Sequence, residues 1–269
     1  MNPAINIREL RSMAELSTTI GLQKAVWRMT DIEVASPHTL KAIAHTGGCV
    51  LGAELDGRLV GFCTGFAARR GEQFFLWSHM AAVLPGLQGQ GIGHRLKQAQ
   101  REWALGRDYS IIAWTFDPLQ SGNANFNFNR LGITARRYEV NHYGAMHDGI
   151  NAGLASDRLE AHWQLVAPRH NPPAPDELTM LLRCDESRNW RCDIPLALDA
   201  PAYGIEIPLA IGALKKADIT QAQQWQLAVR KGMLALLAAN YVVSGFERGD
   251  GRAWYVMTRA LFAQPRPPN

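Results

Sequence analysis

The chain has 269 residues, 47% hydrophobic and 19% charged, with a formal net charge of +4. This balance fits a soluble globular chain of one large domain, or one domain with a smaller companion. No apolar run reaches the ~18 residues of a membrane span, and "MNPAINIRELRS" lacks the basic start and apolar core of a secretory signal, so a cytoplasmic protein is expected. The positive charge suits an anionic ligand. The basic residues are scattered, with "ARRG" and "ARRY" the only clusters, so no nucleic-acid track is read. Cys49, Cys63, Cys184 and Cys192 have no CxxC spacing and read as reduced thiols. "RCDESRNWRCD" reads as a mixed-charge surface loop without a metal-ligand pattern.

"INIREL" alternates and reads as a first strand. "MAELSTTIGLQKAVWR" has apolar residues at helical spacing. "SPHTLKAIAHTGG" reads as a second helix, with Ser36 at the N-cap, Pro37 in the first turn and Gly47 past the end. Three strands follow, "CVLGAEL", "RLVGFCTGFAAR" and "QFFLWSHMAAVL", the first two joined by an Asp-Gly hairpin turn. A glycine loop then leads into a helix from Ile92 to about Leu105, ended by Gly106. Ile92, Leu96, Ala99 and Trp103 form its inner stripe, with Arg95, Lys97, Arg101 and Glu102 outside it. "YSIIAWTF" is a buried strand, "NANFNFNRLG" a short helix stopped by Gly132, and "ARRYEVNHYGAM" and "DRLEAHWQLV" two more strands. "APRHNPPAPDE" (167–177) is a Pro-rich linker. Beyond it, 178–263 reads as a smaller α/β region: strands "LTMLLRC" and "YGIEIPLAI", a long helix "ITQAQQWQLAVRKGMLALLAAN", and strands "YVVSGFER" and "AWYVMTRA". Residues 264–269 read as a disordered tail. The last helix and strand pair weakly echo the order of "NANFNFNRLG" and its strands.

The loop "LPGLQGQGIGHRLKQAQ" carries Gly86, Gly89, Gly91 and Gly93. A P-loop would follow Gly91 with Lys and Ser or Thr, but Ile92 and Gly93 stand there. The dinucleotide fingerprint needs a glycine at 94, which is His94, and the loop follows the fourth strand rather than the first. What fits is Q-x-x-G-x-G: Gln88, Gly91 and Gly93. Glycines here let backbone N–H groups approach a pyrophosphate, and the helix behind adds its positive end.

With "AAVLPGLQGQGIGHRLK" and the Asn-Ala start of "NANFNFNRLG", the chain resembles the GNAT acyltransferase superfamily. The resemblance covers residues 5 to 166, about 60% of the chain. Within it, "SHMAAVLP", "WTFDPLQSGNA" and "DRLEAHWQL" resemble a poorly characterised group of acetyltransferases with an extra C-terminal region. It implies a mixed, mostly antiparallel α/β sheet, splayed in the middle and flanked by helices. It also implies acetyl-CoA as co-substrate, held by main chain at Ala81, Ala82 and Val83 and by Gln88, Gly89, Gln90, Gly91, Ile92 and Gly93. A freed N–H near Ala82 would serve the oxyanion. Asn123 would contact the pantetheine arm, with a helix cap as its other role.

For a base, His79 lies on the strand that would face the thioester, with a hydrogen-bonded core histidine as its bland alternative. Asp117 is a second candidate, set against a turn cap before Pro118. Many family members place a tyrosine four residues before the helix-ending glycine, as general acid. Here Phe128 stands at that position, where the resemblance implies that it lines the coenzyme A site without a hydroxyl, and Tyr143 or His142 on the next strand would substitute, with a packed aromatic of satisfied hydroxyl as the other reading of Tyr143. Arg158 would fork a carboxylate on the acceptor, or else sit in a strand-edge salt bridge. The reading is direct acyl transfer to a small-molecule amine, with no metal, no membrane partner and a homodimer open through the long helix. Its rival is an acyl-CoA-binding sensor or scaffold without turnover.

Overall fold

The computed structural model describes residues 5–144, 153–166, 178–184, 190–192 and 194–259. The elements are β1 (Asn6–Glu9), α1 (Met13–Trp27), α2 (Pro37–His45), β2 (Cys49–Leu55), β3 (Arg58–Arg70) and β4 (Gln73–Val83). Then come α3 (Ile92–Leu105), β5 (Ile111–Phe116), α4 (Ser121–Asn125), continued by a π-helical segment over Phe126–Leu131, β6 (Thr134–Glu139) and β7 (Arg158–Gln164). The C-terminal part holds β8 (Leu178–Cys184), β9 (Trp190–Cys192), β10 (Ala202–Ile207), α5 (Ile211–Ala217), α6 (Ile219–Ala238), β11 (Tyr241–Gly249) and β12 (Arg252–Arg259). The linker and tail expected at 167–177 and 264–269 lie outside the described residues.

Local chemistry sets the boundaries. Ser12 and Glu15 form a reciprocal capping box at the start of α1, and Ser36 caps α2 ahead of Pro37. Asp56 and Gly57 both take positive φ, as the tight β2–β3 turn requires, and Asp250 and Gly251 do the same between β11 and β12.

All strands form one mixed, mostly antiparallel sheet in the order β1-β2-β3-β4-β5-β7-β6-β11-β12-β10-β8-β9. The order β4-β5-β7-β6 is mirrored by β8-β10-β12-β11. In both arms the first pair is parallel and the others antiparallel. The arms meet at β6 and β11 through the single register pair Val243↔Ala135. The weak echo read in the sequence is therefore a repeated topology. In the second arm, Met180 of β8 fills the space that a Cβ on Gly204 of β10 would need.

One buried cluster runs from α3 through β5–β7 to α6 and β12, and a second lies beneath α1 and α2. Three expectations are corrected. The strand read through "ARRYEVNHYGAM" ends at Glu139, so His142 and Tyr143 lie in a turn. The ends of the segment read as the loop "RCDESRNWRCD" are strand residues that pair at the sheet edge, Arg183↔Arg191 and Cys184↔Trp190, and residues 185–189 between them lie outside the described residues. "YGIEIPLAI" stops at Ile207, because Pro208 carries no N–H for a ladder, and α5 follows.

Candidate active site

Strands β4 and β5 pair only at Leu76↔Ile112 and Trp77↔Ala113. Beyond these, Ser78–Val83 and Trp114–Phe116 diverge into a fork. A β-bulge opens it. Thr64 of β3 faces Met80 and Gly65 faces Ser78, leaving His79 as the extra residue. The bulge also reverses β4. Leu76 belongs to the core under α3, whereas Met80 and Ala82 belong to the core under α1 and α2. The irregularity expected near Ala82 thus lies at His79, and Ala82 itself is in regular register with Phe62. Ala81 is exposed, Ala82 buried and Val83 half-buried.

The glycine loop runs from the end of β4 into α3. Gly86, Gly89 and Gly91 have φ of 87°, 77° and 83°. Gln88 Nε2 donates to the Val83 carbonyl and Gln90 Nε2 to the Gly86 carbonyl, so these side chains brace the loop. Gly91 caps α3 with no side chain on its first N–H groups, and residues 88–91 are exposed. The orphan donors and the helix dipole point outward, which fits an anion. Gly93 differs from the other three. It has no positive φ, and a Cβ there would meet only Val83 Cγ2, at an ordinary 3.8 Å. The fold does not need glycine at 93, and glycine inside a helix costs about 1 kcal/mol relative to alanine. Gly93→Ala is therefore expected to keep or raise the melting temperature, because the added methyl meets nothing closer than Val83 Cγ2. Thermal melting checks it; a lowered melting temperature contradicts it.

His79 is exposed one residue beyond the point where β4 and β5 part, with the Phe66 ring 5.8 Å away. Among the described residues neither ring nitrogen has a hydrogen-bond partner, so it is not a satisfied core histidine. Crowding by the surrounding protein pushes its pKa below the usual 6.5. The ring is neutral, and able to accept a proton, at neutral pH. Asp117 is used differently. Its carboxylate accepts from the Leu119 N–H (2.9 Å) and Gln120 Nε2 (3.2 Å), which makes it the turn cap between β5 and α4. Burial pushes its pKa up.

Tyr143 is exposed, and its hydroxyl lies 3.1 Å from Thr115 Oγ1 at the β5 side of the fork. His142 stacks edge-on against it at 4.5 Å. The Arg158 guanidinium lies 5.4 Å from its ring centre, and Arg158 also donates to the Asp157 carbonyl. Arg158 is buried, with its guanidinium on the Tyr143 ring. Asn123 is exposed on α4. Phe128 is also corrected. It is 5% exposed and packs edge-on against Phe116 and Tyr255, inside the core rather than on the fork surface. Tyr255 supplies no substitute hydroxyl there, because it is fully buried and donates to the Pro118 carbonyl.

Residues 13–132 match the family described as Acetyltransferase (GNAT) family. No curated protein matches the sequence. Similar solved structures include an IAA acetyltransferase from Bacillus cereus, 14% identical, covering 60% of this chain and 99% of its own, with a TM-score of 0.46. Another is an aminoglycoside 6'-acetyltransferase type Ii, 15% identical, covering 61% and 99%, with a TM-score of 0.49.

Two buried groups, Lys97 and Glu160, have partners that the sequence does not show. Lys97, placed outside the apolar stripe of α3, is buried at 4% exposure. On β7, Glu160 accepts from Arg70 at 2.6 and 3.0 Å and lies 2.6 Å from His162 Nε2. Burial opposes its ionisation, but these partners outweigh burial and push its pKa down to about 2. The strand alternation of "DRLEAHWQL" puts Glu160 and His162 on one face, and only Arg70, ninety residues earlier, was unreadable. A cavity of ≈ 380 Å³ lined by Glu9, Lys41, His45, Trp103 and Arg107 lies at the far end of α3 from the glycine loop and is no part of the fork. Among the described residues no group of three or more His, Cys, Asp or Glu is placed to hold a metal, and no helix is long and apolar enough to cross a membrane.

Proposed function

We propose that the protein is an acyl-CoA-dependent N-acyltransferase. It uses acetyl-CoA as donor and passes the acyl group directly to the amine of a small-molecule acceptor. The observation that carries this reading is the fork itself: a bulge presents an unpartnered, neutral His79 on the strand that runs into an uncapped glycine loop and helix end. In this reading the loop and the start of α3 hold the pyrophosphate, and Ala81 to Val83 pair with the pantetheine arm. Asn123 contacts that arm from α4.

His79 takes the proton from the acceptor ammonium or from the attacking amine. The amine nitrogen bonds to the thioester carbonyl carbon, and backbone N–H groups at the bulge stabilise the oxyanion. The carbon–sulfur bond then breaks, giving an amide and a thiolate. Tyr143, whose hydroxyl lies 3.1 Å from Thr115 Oγ1 on β5, is the proton donor in this reading. A thiolate of pKa near ~8.5 also leaves without full protonation, so the phenylalanine at 128 is compatible with turnover. Cys49 and Cys63 are buried, and burial pushes both thiols up, which disfavours a covalent relay through either.

Phe128 favours the second reading, a GNAT domain that binds acyl-CoA without turnover. Thiol release from acetyl-CoA with a panel of amines separates the two. Amine-dependent release is expected. If no amine stimulates release while acetyl-CoA raises the melting temperature, the binding-protein reading replaces the enzyme.

A further inference from the structure

Lys97 sits at the apex of the fork. The last paired residues are Trp77 and Ala113, and the next residue on each strand is Ser78 and Trp114. Lys97, reaching inward from α3, contacts both. Its Nζ donates to Ser78 Oγ at 2.9 Å and lies 3.9 Å from the centre of the Trp114 ring. Gln100, one turn along α3, accepts from Lys97 at 3.0 Å and from Ser78 at 2.9 Å through the same oxygen. Gly65 on β3 is small enough to admit the Gln100 amide, since a Cβ there would come within 3.2 Å of Gln100 Nε2.

No carboxylate lies within salt-bridge reach of Lys97 among the described residues. A lysine buried without an acidic partner is unfavourable for folding, and a hydrophobic residue of similar volume fits such a site as well or better. Groups of this kind are kept where they act. Ser78 is the residue before the bulge at His79, so whatever fixes Ser78 fixes the position of the base and of the strand that diverges from it.

We propose that Lys97 is a positioning residue for acyl transfer: its charge ties Ser78 of β4 to the face of Trp114 of β5 and so sets the apex of the fork and the placement of His79. This rests on the acyltransferase reading above. The charged and titratable groups that face Lys97 are few. They are the thiols of Cys49 on β2 and Cys63 on β3, with Ser78, Gln100 and Trp114 as the polar and aromatic neighbours. Burial holds both thiols in the neutral form and pushes the Lys97 pKa down to about 8. The tie to Trp114 is therefore lost as pH rises through about 8, because the neutral amine has no cation–π attraction.

The test compares wild type with Lys97→Met and Lys97→Gln in amine-dependent thiol release across pH, with melting temperature as the second readout. Expected are melting temperatures equal to or above wild type, and kcat lowered on the order of tenfold to a hundredfold at neutral pH. KM for acetyl-CoA should be little changed. The wild-type advantage should shrink toward one above the Lys97 titration. Variants that keep wild-type kcat, or a wild-type advantage that is flat with pH, overturn the role of the charge. If Lys97→Met fails to fold, Lys97→Gln, which keeps a hydrogen-bonding end, gives the same comparison. Loss of folding in both makes Lys97 a structural residue and overturns the proposal. A wild-type protein that releases no thiol with any amine overturns the acyltransferase reading itself, an outcome distinct from active but Lys97-independent enzyme.

Discussion

Replacing His79 by glutamine is expected to lower kcat by about 10²–10⁴-fold while leaving the protein folded. The size follows from the role: a positioned base removes a proton that an ammonium acceptor otherwise keeps at neutral pH. The safety of the substitution follows from the geometry. His79 is exposed, occupies the extra position of a bulge and has no hydrogen-bond partner among the described residues, so its removal leaves no buried group unsatisfied. The pH dependence has a definite sign. In the proposed role the neutral ring is the active form, and protein crowding lowers its pKa, so activity should persist to lower pH than the usual histidine value of 6.5 allows. The acidic limb of kcat/KM in wild type should therefore lie below that value and vanish in His79→Gln. A variant with wild-type kcat places the base elsewhere.

The second large effect is on stability, where the β6–β7 region meets the C-terminal elements. Asp157 precedes β7, and its side chain is 0% exposed. It accepts from Arg230 of α6 through two nitrogens, at 2.8 and 2.9 Å. The Tyr138 hydroxyl (2.7 Å) and the Asn141 N–H (3.0 Å) complete its shell. Arg230→Ala leaves this carboxylate buried without its counter-charge and is expected to cost about 3–5 kcal/mol in chemical denaturation. Adding Asp157→Asn should recover part of the loss, because the uncompensated charge is then gone. A cost below about 1 kcal/mol for Arg230→Ala is what an exposed surface pair would give, and would contradict a buried tie. Because Asn141 and Ser156 also hold the turn that carries Tyr143, activity is expected to fall along with stability.

What could be read from the sequence and what could not divide by range. Gly86, Gly89 and Gly91 announce a loop because positive φ is a property of single residues, and the order of strands and helices through residue 166 follows from local periodicity. The turn at Asp56–Gly57 and the caps at Ser12 and Ser36 are local in the same sense. The bulge at His79 left no such mark, because "LWSHMAAV" is compatible with an unbroken strand and only the pairing of Gly65 with Ser78 reveals the extra residue. Lys97 was misplaced for a related reason. A lysine on a helix reads as solvent-facing, and its burial depends on Ser78 and Trp114, which lie on two other elements. The salt link from Arg70 to Glu160 and the tie from Arg230 to Asp157 span ninety and seventy-three positions, and no periodicity encodes them. The mirrored second arm was faintly legible in the final helix and strand pair, but its junction at Val243 and Ala135 was not.

The most direct measurement is a crystal structure with coenzyme A bound. It should show the pyrophosphate against the N–H groups of 88–93, the pantetheine arm between the diverging ends of β4 and β5, and the thiol within reach of His79. Coenzyme A bound away from the fork, or a fork that stays closed at saturating coenzyme A, would contradict the account.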